Sequence, residues 1–324
     1  MLWIWSGFGV LVIALLALDL GVFHRKAHEI GVREAIGWTA LWIAVGLLFS
    51  VAIYFIYEKE LFGIALPQED LEGLVTGKGA KAVSLYLTGY LLEKSLSIDN
   101  IFVMAVVFTR FGIPRLSQHR VLYWGILGAV VMRAAMIFGG VWLLSRFEWL
   151  FYVFGAYLVF AGVKMLVSHS DDGDLADKWY IRWLQKVLPV ATECEENRFF
   201  TRRNGKRMVT TLFLVLLVIE LADVVFAVDS VPAVLSLTTD PFIVLTSNVF
   251  AILGLRSLYF VLAAMMARFA YLNHSLSAIL VFIGAKMALH HFYKIPTLVS
   301  LAVILGLFLA GVAFSFARTR GKEA

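Results

Sequence analysis

The chain contains the acidic stretch Glu93-Lys94-Ser95-Leu96-Ser97-Ile98-Asp99-Asn100, and it repeats that spacing in Asp223-Val224-Val225-Phe226-Ala227-Val228-Asp229-Ser230. Both stretches lie inside long apolar runs, and Glu220 precedes the second. A carboxylate at the centre of a bilayer costs roughly 2.5–3.5 kcal/mol, so five such acids facing lipid would cost on the order of 15 kcal/mol. We therefore expect five acids to face one another, a water-filled cavity or a cation: Glu93, Asp99, Glu220, Asp223 and Asp229.

The composition is that of a membrane protein. Hydrophobic residues make up 61% of the 324 residues, and the mean hydropathy is +0.85. Ordinary soluble domains are much less apolar, and about 20 apolar residues suffice for one transmembrane helix. The sequence predicts an all-α polytopic membrane protein with about nine transmembrane helices, at residues 2–23, 38–57, 82–109, 121–144, 149–167, 209–234, 242–267, 275–292 and 297–317.

The distribution of charge indicates an orientation. The net charge of +5 comes from short loops between apolar runs, so it does not indicate a nucleic-acid partner. Lys and Arg are concentrated in alternate loops, which places those loops in the cytoplasm. We predict an N-terminus outside and a C-terminus in the cytoplasm, in a bacterial plasma (inner) membrane. The first apolar run has no basic residues before it, so we interpret it as a retained span rather than a signal peptide.

Spans three to five resemble spans six to eight in the order of their motifs. Besides the acidic stretches, Arg133 matches Arg256, and Phe160-Ala-Gly162-Val-Lys164-Met165 matches Phe282-Ile-Gly284-Ala-Lys286-Met287. Each unit has an odd number of spans, so the second unit enters the membrane from the opposite side. The sequence therefore predicts two inverted three-helix repeats, an arrangement in which transporters place the substrate near the midplane.

A long linker separates the two units. Trp179, Trp183 and Leu184 fall on one helical face, which predicts a short helix lying in the membrane interface. Asn204-Gly205 lies between two short runs and predicts a type I′ hairpin. The predicted parts of the chain are 1–81 (two N-terminal spans and an outer loop), 82–167 (first repeat), 168–208 (cytoplasmic linker), 209–292 (second repeat) and 293–324 (last span and tail).

The residue types of the expected site favour a hard cation. Besides the five acids, the spans offer the amides of Asn100 and Asn248 and the hydroxyls of Ser95, Ser97 and Ser230. The histidines lie in loops or at span ends, and the one cysteine, Cys194, lies in the linker. Oxygen ligands suit Mg²⁺, Ca²⁺ or Mn²⁺ rather than copper or zinc. The residues alone leave the choice among these three ions open.

One feature of the spacing predicts a broken helix. Asp229 lies six residues after Asp223, about 120° away around an ideal helix. Both acids can reach one ion only if the helix bends, unwinds or rotates between them. Pro232 would provide a cause in the second repeat, because proline removes a backbone donor and clashes with the preceding turn.

Structural roles for the same charges remain possible. A buried acid can serve to tie helices together, with Glu93 paired to Arg256 or Asp223 paired to Arg133. We expect Arg133 and Arg256 to act as counter-ions or as ties between the repeats rather than as substrate ligands.

Three further features have structural alternatives. Lys94 lies mid-span beside Glu93 and could neutralise an empty site. Asp19 lies near the end of the first span, where an interfacial position is expected and a site role is the alternative. Gly125 and Gly128 are expected to serve helix packing.

The sequence closely resembles the TerC family over nearly its whole length. The resemblance lies in Tyr90-Leu-Leu-Glu-Lys-Ser-Leu-Ser-Ile-Asp-Asn-Ile-Phe-Val103, in Glu220-Leu-Ala-Asp-Val-Val-Phe-Ala-Val-Asp-Ser-Val-Pro-Ala233 and in Thr239-Asp-Pro-Phe-Ile-Val-Leu-Thr-Ser-Asn-Val-Phe-Ala-Ile-Leu-Gly-Leu-Arg256. The Alx-type branch of the family is the most similar. The resemblance implies a multi-pass membrane protein of the wider LysE-like transporter group with a role in manganese export or metal homeostasis. It also implies metal-ligand roles for Glu93, Asp99, Glu220, Asp223 and Asp229.

These observations predict a transporter rather than an enzyme. We expect it to export a hard divalent cation, Mn²⁺ first, as a transported ligand and without a bound cofactor. The sequence has no P-loop, so proton coupling is expected, with some acids taking up protons as the metal leaves. One alternative is an accessory membrane protein for metal handover or for resistance to stress such as tellurium or pH. The other is the membrane-bound redox modulator role often attached to the family, although the sequence contains one cysteine and no haem, flavin or iron–sulfur motif.

Overall fold

The computed structural model describes residues 2–19, 31–67, 70, 75–147, 149–167, 190–191, 198–203, 206–265, 272–289 and 295–323. Within these ranges the chain is almost entirely helical. The helices are α1 (Leu2–Ala17), α2 (Val32–Glu58), α3 (Lys78–Arg110), α4 (Arg115–Arg146), α5 (Leu150–Val167), α6 (Thr211–Leu235), α7 (Pro241–Ile252), α8 (Leu255–Met265), α9 (Leu272–Leu289) and α10 (Thr297–Glu323), with a 3₁₀ turn at Leu61–Gly63. The strands are β1 (Val190–Ala191), β2 (Phe200–Arg203) and β3 (Lys206–Thr210).

The fold class is confirmed as an all-α polytopic membrane protein. Among the described residues, three helices are long and apolar enough to cross a membrane, namely α2, α6 and Arg115–Leu144 of α4. The pair α7 and α8 forms a fourth candidate, bent by 44° at the break between them. Shorter apolar helices occur at Trp3–Ala17, Tyr152–Leu166, His274–Lys286 and Val299–Ser315. The count of nine spans stays a prediction.

The seventh apolar segment is broken, which the sequence analysis did not predict. Helix α7 ends at Ile252 and α8 begins at Leu255, with Gly254 between them at a φ of +78°. A positive φ favours glycine. A larger residue would also clash with a neighbouring helix, because a Cβ at Gly254 would lie 2.5 Å from the Cβ of Trp42 in α2. The break is therefore fixed by a backbone conformation and by a contact from another helix.

The break that was predicted near Pro232 is absent. Helix α6 runs without interruption from Thr211 to Leu235, through both Asp223 and Asp229. Pro232 lies in the last turn of this helix, where Ser236 still donates its backbone N–H to the Pro232 carbonyl at 2.9 Å. A proline this close to the end of a helix leaves the acidic turns before it intact. The expectation of a discontinuity between the two aspartates is wrong.

Two capping residues set the starts of α6 and α7. The Thr210 hydroxyl accepts the backbone N–H of Phe213. Asp240 accepts the backbone N–H groups of Phe242 and Ile243 at 2.9 and 3.0 Å. Its Oδ1 also accepts the hydroxyl of Tyr57 at 2.8 Å, which ties the start of α7 to the end of α2. Side-chain caps of this kind satisfy backbone donors that have no partner in the helix.

The matched units contact each other reciprocally. Helix α4 packs on α6 and α3 packs on α7, while α5 packs closely along α9. A Cβ at Gly162 of α5 would lie 2.8 Å from the Ser277 carbonyl oxygen, and a Cβ at Gly284 of α9 would lie 2.6 Å from the Gly155 carbonyl oxygen. The aligned motifs pair Gly162 with Gly284 and Gly155 with Ser277. Each helix therefore uses the same positions that its partner uses, as a two-fold relation between repeats requires.

The linker contains a small sheet beside α6. Strands β2 and β3 pair antiparallel with Arg203 opposite Lys206, and β1 pairs parallel with β3. Two residues therefore connect β2 to β3, at the position where the sequence predicts a hairpin. Those two residues, Asn204 and Gly205, and the predicted interfacial helix lie outside the described residues.

Asp19 is buried inside the protein, and its expected position at the membrane interface stays a prediction. Its side chain is 5% exposed, and its Oδ1 accepts Trp42 Nε1 at 3.1 Å. Arg256 donates to the Asp19 carbonyl oxygen at 2.8 Å and places the same nitrogen 3.7 Å from the Asp19 carboxylate. The end of the first apolar segment therefore reaches the protein interior, where it provides a counter-charge for Arg256.

We predict that Gly162→Ala and Gly284→Ala each destabilise the protein, because each added Cβ meets backbone of the facing helix. Overpacking of this kind costs typically about 1–3 kcal/mol. Thermal unfolding of the purified protein in detergent measures the effect. Gly139→Ala in α4 is the matched control, since no atom lies within 4 Å of a Cβ there. An unchanged unfolding temperature for both α5 and α9 variants would contradict the reciprocal contact.

Candidate functional site

Arg133 of α4 lies at the centre of a buried group of charges. Its guanidinium forms an ion pair with Glu93 of α3. It also binds Asp223 of α6 through two contacts, Nη2 to Oδ1 at 3.0 Å and Nε to Oδ2 at 3.4 Å. A further contact joins Nη1 to Oδ1 of Asn248 in α7 at 3.3 Å. One cation thus connects four helices and the matching acids of both repeats.

Asn100 completes the contacts of Asp223. Its Nδ2 donates to Asp223 Oδ1 at 3.1 Å. Asn100 lies two turns after Glu93 on α3, so both residues approach α6 from the same helix. Glu93 is fully buried, and Arg133, Asn100 and Asp223 are at most 6% exposed. Asp223 of the second repeat therefore lies between two residues of the first repeat, Arg133 and Asn100.

A small cavity lies beside this group. Its volume is about 10 Å³, room for about one water-sized occupant. Oxygen-bearing side chains and the guanidinium line it together with apolar residues: Asn100, Met104, Gly125, Ile126, Ala129, Arg133, Ile219, Glu220, Asp223, Ile252 and Leu255. The cavity therefore lies between the repeats, as the sequence analysis expects for a substrate site.

Some of the carboxylate oxygens near the cavity have no hydrogen-bond partner among the described residues. Glu220 Oε2 is buried and, among the described residues, accepts no hydrogen bond. The same holds for Glu93 Oε2, whose carboxylate has the ion pair with Arg133 as its described contact. An unsatisfied buried acceptor costs about 1–3 kcal/mol, and more when it is charged. Among the described side chains, three carboxylates lie near one guanidinium, and a bound cation or protons would neutralise the excess negative charge.

Gly128 of α4 creates the space that Glu220 occupies. Any Cβ at this position would overlap the Glu220 carboxylate, whose Cδ lies 2.5 Å from that point. The sequence predicts a role in helix packing for both Gly125 and Gly128. A Cβ at Gly125 would lie 3.7 Å from Cγ2 of Ile219, which is an ordinary packing contact. Gly128 instead accommodates a charged group of the candidate site. A glycine facing an acid on another helix cannot be identified from sequence without the fold.

Several predicted site residues do not join this group. Lys94 donates to the carbonyl oxygens of Ala251 and Leu253, and Arg256 binds Asp19. The alternative pairing of Glu93 with Arg256 is therefore not formed, while that of Asp223 with Arg133 is. Of the predicted hydroxyls, Ser95 donates to the Leu91 carbonyl at 2.7 Å, and those of Ser97 and Ser230 are buried without a partner among the described residues.

The remaining two predicted ligands are placed only by their backbone. Asp99 lies in α3 and Asp229 in α6, but their side chains are outside the described part of the structure. Among the side chains that are described, no three from His, Cys, Asp and Glu are grouped so that they could hold a metal ion. The roles of all five acids as metal ligands stay a prediction.

Comparison with known proteins identifies relatives along the whole chain. Residues 78–323 match the family model described as "Integral membrane protein TerC family". An uncharacterized membrane protein of Myxococcus xanthus is 46% identical over 98% of this chain and 93% of its own length. A protein of Escherichia coli (strain K12) with the printed name "Putative membrane-bound redox modulator Alx" is 46% identical over 94% of this chain and 92% of its own length. No solved structure matches the chain.

We predict that Arg133→Met destabilises the protein by about 3–5 kcal/mol, because it leaves the Glu93 and Asp223 carboxylates buried without their cation. Adding Glu93→Gln and Asp223→Asn to this variant should recover much of the loss. Thermal unfolding in detergent provides the comparison.

Arg146→Met is the matched control, because Arg146 is an exposed arginine at the end of the same helix. A loss of stability that the neutral acids do not relieve would show that Arg133 acts through packing rather than through charge.

Proposed function

The chain belongs to the TerC family of integral membrane proteins, and we propose that it exports a hard divalent cation, Mn²⁺ first, from the cytoplasm of a bacterium across the inner membrane. The proposed site is the carboxylate group between the two repeats. The N-terminus lies outside and the C-terminus in the cytoplasm in this proposal, following the distribution of Lys and Arg.

The buried carboxylate oxygens without partners carry the proposal. Glu93 and Asp223 pair with one guanidinium at an interface of four helices, and Glu220 lines the small cavity beside them. A structural ion-pair network would be expected to satisfy each of its acceptors. Acids that stay unsatisfied in a membrane interior instead indicate a pathway for ions or protons.

Ligand chemistry supports Mn²⁺ over Mg²⁺ as cargo. Mg²⁺ gives up water reluctantly and is rarely held by all-protein ligands, whereas carboxylate and carbonyl oxygens suit Mn²⁺.

Arg133 would act as the counter-ion of the empty site. Its contacts hold Glu93 and Asp223 in place while no metal is bound. An arriving divalent ion would bind the free Glu220 oxygen and compete with Arg133 for Asp223. Asp99 and Asp229 would complete the ligand set from the next turns of α3 and α6. A site that is always partly neutralised avoids the full cost of burying empty carboxylates.

Alternating access would come from movement of the repeats against each other. Acids from α3 and α6 belong to different repeats, and Arg133 connects them. A relative rotation of the two units would therefore change the distance between the ligands and open the cavity to one side at a time.

We predict that purified protein in proteoliposomes takes up Mn²⁺, and that Glu220→Gln, Asp99→Asn and Asp229→Asn each abolish most of the flux. Each amide keeps the shape of the acid but removes the charge that would bind the ion. Radioactive or fluorescent detection of Mn²⁺ inside the vesicles measures the rate.

Glu34→Gln is the matched control, since Glu34 lies on the exposed first turn of α2. Thermal unfolding of each variant separates loss of flux from loss of fold. Absence of flux in the native protein would favour the accessory role in metal handover, and flux that survives all three changes would remove the acids from the site.

We also predict that Mn²⁺ movement drives protons in the opposite direction. A pH-sensitive dye inside the vesicles should report a change of pH that needs both Mn²⁺ and the native acids. An imposed pH gradient should change the initial Mn²⁺ rate several-fold. A Mn²⁺ flux that is indifferent to the gradient and moves no protons would contradict proton coupling while leaving Mn²⁺ transport intact.

A further inference from the structure

The break between α7 and α8 exposes backbone acceptors half-way along the fourth candidate membrane span. The last carbonyls of a helix have no N–H partner within it. Water would bind them at a surface, but the hydrocarbon interior offers none, and each unsatisfied group costs several kcal/mol there. Leu253 and Gly254 lie half-way along the bent pair, so another part of the protein must satisfy the carbonyls before them.

Lys94 provides that partner from the middle of α3. Its Nζ lies 3.0 Å from the Ala251 carbonyl oxygen and 3.4 Å from that of Leu253. Glu93, the preceding residue, binds Arg133 instead. Successive residues on a helix point about 100° apart, so the acid faces the candidate metal site while the lysine faces the break.

The two repeats provide an internal comparison. The acidic stretches align Lys94 with Val224, and the motifs containing Arg133 and Arg256 align the break with Val130-Val131 of α4. Helix α4 continues without a break through Val130 and Val131. The lysine thus occurs on α3, which packs on the broken span of α7 and α8. A valine takes its place on α6, which packs on the continuous helix α4. This correlation assigns Lys94 to the break rather than to the carboxylate site.

We infer that the Ala251 and Leu253 carbonyl oxygens form a second cation site, of a kind that accepts Na⁺ or another small monovalent cation, and that the Lys94 ammonium occupies it permanently. The C-terminal end of a helix carries partial negative charge, and broken helices in transporters coordinate Na⁺ through such carbonyls. The two oxygens carry no formal charge, so the site suits a monovalent rather than a divalent ion. The tethered ammonium makes the native protein independent of alkali ions.

Removal of the Lys94 side chain should convert the occupied position into a true ion site. We expect the unfolding temperature of Lys94→Ala to fall in a buffer whose only cation is N-methyl-D-glucamine. Added Na⁺ or methylammonium, at constant ionic strength, should raise it again. The recovery should grow with the logarithm of the ion concentration, as binding to the folded state alone requires. The native protein should show no such ion dependence.

Two further variants complete the experiment. Lys164→Ala removes an exposed lysine from α5 and should behave as the native protein does. Lys94→Ser replaces Lys94→Ala if the latter does not fold, and the same ion dependence is required of it.

A Lys94→Ala protein as stable as the native one would overturn the inference, because the carbonyls would then need no cation. A destabilised variant that responds to none of the ions would overturn it as well. These measurements need no metal transport, so their outcome is independent of the proposed function.

Discussion

Burial of charge in a medium without water is the constraint on which this fold depends. A charged group inside the bilayer needs a partner within the protein, a water-filled cavity or a bound ion, and the partners seen here come from distant parts of the chain. Arg133 binds acids from both repeats, and Arg256 binds the end of the first apolar segment. These contacts fix how the helices are arranged around the interface. Apolar faces meet both lipid and one another, so hydrophobicity alone does not distinguish a neighbouring helix from lipid.

The second repeat is not a copy of the first, and the differences lie at the charges. Arg133 and Arg256 occupy matching positions, yet one binds both central acids and the other binds Asp19. Asp19 belongs to neither repeat, so an element outside the repeats breaks their equivalence. Glu220 likewise aligns with Tyr90, whose hydroxyl is buried without a partner among the described residues. Glu220 therefore has no matching acid in the first repeat, and this difference makes the interface between the repeats asymmetric.

The fold class and the pairing of Asp223 with Arg133 could be predicted from the sequence because both leave a local signal. Apolar length reveals a membrane helix, and a carboxylate inside one requires a partner. The break at Gly254 leaves a weak signal, since a single glycine is common in membrane helices, and the reason for it lies in Trp42, far away in the sequence. Pro232 led to the opposite error. A proline inside an apolar segment is a strong signal for a break in the helix, but Pro232 lies in the last turn and leaves the helix before it intact. The partners of Lys94 and Asp19 were missed for the same reason, because both are contacts between distant elements.

The reciprocal contact of α5 with α9 bears on the origin of the chain. Gly162 and Gly284 each receive the backbone of the other helix through matching positions. A contact in which one surface binds its own copy is isologous, the type that joins two identical subunits across a two-fold axis. Two separate three-helix proteins inserted in opposite directions could therefore have formed it before any linker joined them. In the fused chain either copy is free to diverge in its charges, while the glycines on which both depend must be kept together.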